Sequence, residues 1–82
     1  MERFQEVNFI SNAREMRDFI NSNIWKDLSY EVSRWLDDIR NQLEVENNSD
    51  IIRKLQGNAE AVNRFLRLPE VLVEAMEIDH GR

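Results

Sequence analysis

Apolar residues recur along the chain at spacings of three and four, the period of a helix with one buried face. The clearest run is Trp25, Leu28, Val32, Trp35 or Leu36, Ile39 and Leu43, which predicts a helix over about residues 24–45. "VENNSD" closes it, because Asn47, Asn48 and Ser49 favour turns and caps over helix interiors. A second run of the same kind, Ile52, Leu55, Ala59, Val62 and Leu66 with Ile51 and Phe65 at its side, predicts a helix over about residues 50–67. Pro69 disfavours helical geometry at Leu68 and ends or kinks that helix.

Two shorter elements flank these. Phe9, Ala13, Met16 and Ile20 mark a helix over about residues 12–21, with Asn12 placed to cap and Glu15 to complete a capping box. Ser22 or Asn23 can cap the helix that follows. "PEVLVEAMEI" reads as a separate short helix opened by Pro69, with Val71, Leu72, Ala75 and Met76 as its apolar side. Residues 1–11 and 78–82 are expected to be flexible ends of a single domain spanning 1–82.

The expected fold is therefore all-α. Its centre is an antiparallel helical hairpin (about 24–45 and 50–67), since a connection this short makes neighbouring helices antiparallel. With the turn near residue 47, positions summing to about 94 or 95 lie side by side. Ile39 then falls near Leu55, Trp35 or Leu36 near Ala59, and Val32 near Val62. Ala59 is the small residue expected to face Trp35.

Gly57 interrupts the third stripe without shifting its phase, so the helix is expected to continue through "KLQGNAEAV". At 100° per residue the glycine points away from the hairpin partner. Three readings stay open: a tolerated weak spot, close approach of another chain or of the first helix, or a real break.

Composition narrows the chemistry. Sixteen acidic residues against eleven basic ones give a formal charge of −5, which argues against a phosphate-backbone partner. A DNA-binding regulator would have to rely on Arg53, Lys54, Arg64 and Arg67, a sparse set. The chain has no cysteine, which removes disulfides, thiolate metal sites and a thiol nucleophile. No apolar run reaches membrane-spanning length and the start lacks a signal-peptide core, so the chain reads as soluble and cytosolic.

No catalytic constellation emerges. His80 has no nucleophile near it in sequence, and Glu77 with His80 makes a single Glu-x-x-His spacing where di-iron bundles use two. Asp37 with Asp38 and Glu44 with Glu46 diverge around their helix and do not converge on one metal. The expectation is no enzyme, no cofactor and no metal. Partner-binding candidates are Tyr30, outward on the second helix, Gly57, and the stripe Val71, Leu72, Ala75 and Met76. That stripe either docks on a partner or packs back on the first helix.

The pattern "NSNIWKDLSYEVSRWLDDIRNQLE", an acidic turn, then "IIRKLQGNAEAVNRFLRLPEVL" resembles small acidic proteins of unknown role encoded among the head and packaging genes of tailed bacteriophages. The resemblance spans about residues 21–72 and rests on Trp25-Lys26-Asp27, Leu43-Glu44, Gln56-Gly57 and Leu68-Pro69-Glu70. It implies a non-enzymatic role in virion or head assembly, by oligomerisation or by docking on a larger phage protein. It also implies a place in the cytoplasm of the infected host cell or in the virion, while charge and hydropathy leave neither nucleic acid nor membrane expected as a direct partner. The alternative is a small acidic inhibitor of a host or defence protein, acting by nucleic-acid mimicry.

Overall fold

The computed structural model describes residues 9–80, and side chains as far as Ile78. Expectations about residues 1–8, the last two residues and the side chain of His80 fall outside the described residues. Within them the chain is all-α, with α1 at Ala13–Ile20, α2 at Asn23–Val45 and α3 at Ser49–His80.

The helix ends are set by the residues that the sequence offers as caps. The Asn12 side chain accepts the Glu15 backbone N–H at 2.8 Å, and Glu15 Oε1 accepts the Asn12 N–H at 3.1 Å, the reciprocal pair that opens α1. One hydroxyl both closes α1 and opens α2. Ser22 Oγ donates to the Phe19 carbonyl at 2.6 Å and accepts the Trp25 N–H at 3.1 Å. At the hairpin turn, Asn48 Oδ1 accepts the N–H groups of Asp50 and Ile51 at 2.9 and 3.1 Å and so starts α3.

α3 is the spine of the fold. Its 32 residues, at about 1.5 Å each, account for the 50 Å long dimension of the molecule. α2 lies antiparallel along the first part of α3, and α1 packs on the last part with little contact to α2. Arg17 and Ile20 of α1 border Glu70, Val73 and Glu74 of α3, and Arg17 pairs with Glu77. The result is a slab one helix thick, 15 Å in its short dimension.

The core follows the line where α3 meets its two partners. Ala13, Trp25, Val32, Leu36, Leu55 and Met76 are buried, and Trp25 joins all three helices, with its ring 5.4 Å from Phe19 and 5.8 Å from Phe65.

Two expectations change. The separate helix after Pro69 does not form, because α3 runs unbroken through the proline to His80. A proline inside a helix costs about 3 kcal/mol, but residues 70–80 continue in line, where Val73 borders Arg17 and Ile20 of α1 and Met76 is buried. That packing offsets the local penalty. Leu36, at 5% exposed, is the inward residue of its pair, whereas Trp35 stays 51% exposed. Trp35 therefore does not face Ala59: it lies beside Ala61, Val62 and Phe65, and Ala59 lines the opposite side of the slab. Residues one apart differ by about 100°, so burying Leu36 turns Trp35 out of the helix interface.

Gly57 lies in an unbroken helical stretch with no positive φ, and a Cβ built on it meets nothing within 4 Å. A break and a close approach by α1 are both overturned. Gly57→Ala should stabilise the isolated chain by up to about 1 kcal/mol, read as a higher denaturant midpoint with an unchanged slope; a lower midpoint would contradict this assignment.

Candidate partner-docking face

A slab of one helix layer has two broad faces, and here they differ in kind. On α2, Leu28 and Trp35 sit to one side of the buried line formed by Trp25, Val32 and Leu36. On α3, Ala61, Phe65 and Leu68 sit to the same side. Antiparallel neighbours turn their corresponding flanks toward one face, so these side chains gather there.

They frame a depression of about 460 Å³ bounded by Leu28, Val32, Trp35, Ala61, Val62 and Phe65, without a charged residue. A second one, of about 420 Å³, shares Leu28 and Phe65 and continues past Trp25, Leu68 and Pro69 to Phe19 and Leu72, where α1 closes it. The two make one apolar trough along the junction of the helices. Leu28, Trp35, Phe65 and Leu68 all remain exposed along it. A monomer rarely leaves a continuous apolar surface of this kind open to water.

Trp35 is held ready within the trough. Its indole Nε1–H donates to Glu31 Oε2 at 3.1 Å, and Glu31 Oε1 accepts from Arg34 at 3.2 Å. The ring's one polar group is satisfied within its own helix, so a partner could cover the ring without stranding a donor.

The opposite face mixes charge with apolar surface. Arg40, Gln56, Glu60, Asn63, Arg64 and Arg67, together with Leu43 and Ala59, line an open depression of about 730 Å³ there. Its arginines interrupt any acidic field of the sort a nucleic-acid mimic would present.

The sequence-based candidates divide. Tyr30 is 69% exposed and lies on neither depression. Gly57 is exposed and outside the trough. Of the C-terminal stripe, Val71 is exposed, Leu72 lines the trough and Ala75 is half-buried. Met76, at 3% exposed, is consumed by packing within the chain. The trough residues Leu28, Trp35 and Phe65 read in sequence as ordinary core. The available signal was width: Leu28, Trp35 and Leu36 span more of α2 than a single neighbouring helix can cover.

No described charged or polar side chain is buried, and among the described residues no three His, Asp or Glu side chains gather as metal ligands would. Among them, too, no helix is long and apolar enough to cross a membrane. Comparison with protein-family models, with curated proteins and with solved structures finds no match to this chain.

Proposed function

We propose that the protein is a non-enzymatic interaction module that works by helix-mediated association through the apolar trough. The observation that carries this reading is the trough itself, a continuous groove between α2 and α3 whose lining is apolar but for Ser11 and Glu15 at the α1 end, with Trp35 held in place at its edge. Buried aromatic anchors dominate the energy of protein interfaces, and an apolar groove between helices is the usual seat of another helix. The resemblance of residues 21–72 to acidic phage proteins supports reading this activity as part of virion or head assembly.

The test is complementation of a phage that lacks the gene. A variant carrying Leu28→Gln, Trp35→Gln and Leu68→Gln changes exposed side chains only, so its helical circular dichroism should match the wild type within about 1–2 kcal/mol of stability. Its particle yield should nonetheless fall at least tenfold. Wild-type yield from the folded triple variant would refute the proposal.

A further inference from the structure

We propose that the occupant of the trough is a second copy of this chain, related by a two-fold axis that runs along the helices and lays α2 of each copy over α3 of the other. This rests on the reading of the trough as a docking surface and adds the identity and orientation of what docks.

Size is the first argument. α2 and the part of α3 beside it run for roughly 34 Å, and two helices side by side are about 20 Å wide. Each copy therefore offers roughly 700 Å², close to the ~800 Å² per partner of a stable interface. A single added helix would cover half of that width, whereas a second two-helix slab covers all of it and completes a four-helix bundle.

Charge supplies the orientation. The rim of the apolar face along α2 carries Asp27, Glu31 and Asp38, with Arg34 the one basic residue among them. The rim along α3 carries Lys54 and Arg64, with Asp50 at its far end, and Arg64, at the outer edge between the two faces, borders the same surface as Phe65 and Leu68. Two slabs stacked face to face can be related by an axis across the helices or along them. The first puts α2 on α2 and matches acidic rim to acidic rim. The second puts α2 on α3 and matches acidic rim to basic rim, which is the arrangement electrostatics favours.

The register agrees. Residues at equal height in the hairpin sum to about 95, so Glu31 lies level with Arg64. An axis along the helices preserves height, and Glu31 of one copy then meets Arg64 of the other. The same operation brings both Trp35 rings to one height on either side of the axis.

Sedimentation equilibrium of the full chain tests this. Wild type should be a dimer at tens of micromolar, with Glu31→Arg and Arg64→Glu each weakening dimerisation at least tenfold. The double variant should recover to within about threefold of wild type. Because Glu31 also holds Trp35, it is this recovery that identifies the cross-pair. A dimer whose double variant is no tighter than the single ones overturns the orientation, and a protein that stays monomeric at 200 µM overturns the second copy.

In the monomeric case a naphthalene-sulfonate dye separates the two claims. Dye binding that is lost in the Leu28, Trp35 and Leu68 triple variant leaves the trough a docking surface with a different occupant. Dye binding unchanged in that variant refutes the docking surface as well.

Discussion

Trp25→Ala is expected to leave the chain without a cooperative thermal transition above room temperature. Trp25 is 9% exposed and ties all three helices together, through Phe19 on one side and Phe65 on the other. Truncating a buried tryptophan costs about 3–5 kcal/mol, since the transfer energy is lost and a cavity remains. At about 0.05–0.15 kcal/mol per residue, a domain of 82 residues has roughly 4–12 kcal/mol in total. Among the described residues the core holds six buried hydrophobic side chains besides Pro69, none below 2% exposed, which places this fold toward the lower figure. Circular dichroism during heating checks it, and a sharp transition within a few degrees of wild type would refute the bridging role. Trp25→Phe keeps a ring in the site and should retain a cooperative, lowered transition.

The second large effect is expected at the far end of the molecule. Met76→Asp should release α1 and loosen α3 beyond Pro69 while leaving α2 folded against the earlier part of α3. Met76 is 3% exposed, and the stretch it belongs to is what α1 packs on. A carboxylate there must either ionise without a partner or push its neighbours apart, a cost of several kcal/mol. α1 has eight residues, well under the roughly 12–15 that an isolated helix needs in water, so once undocked it melts. Amide hydrogen exchange should show protection lost over residues 16–20 and kept over 55–66. Unchanged protection in α1 would mean that its docking does not depend on Met76.

The parts of the fold legible in sequence are those fixed by local chemistry. Asn12 with Glu15, Ser22 at the head of α2, and the Asn-rich turn each act within four residues, and the structure uses them as helix ends. The hydrophobic stripes of α2 and α3 predict their pairing because one period describes both. Pro69 misleads for the complementary reason. Its local cost is plain in the sequence, but the compensation comes from α1, about fifty residues earlier in the chain, and no local rule carries that contact. Trp35 and Leu36 present another limit. Both fit an apolar stripe, and which of them is buried depends on a rotation of roughly 100° that the stripe alone leaves open. Recognising the trough required knowing how many neighbours α2 has, which is a property of the whole assembly of helices.

The break between α1 and α2 lies close to the height of Pro69 on the facing helix, and Phe19, Trp25 and Pro69 border the same depression. At Asn21 and Ser22 one member of the pair has no continuous helical backbone. In the other, Pro69 cannot donate the N–H that would bind the carbonyl of Phe65. A pair of helices resists bending through its two unbroken hydrogen-bonded columns, and here both columns are weakened within about one helical turn of each other. The molecule is thus mechanically two stiff arms joined by a compliant section, a long arm of α2 with the start of α3 and a short arm of α1 with its end. Trp25 is the packing that spans the joint.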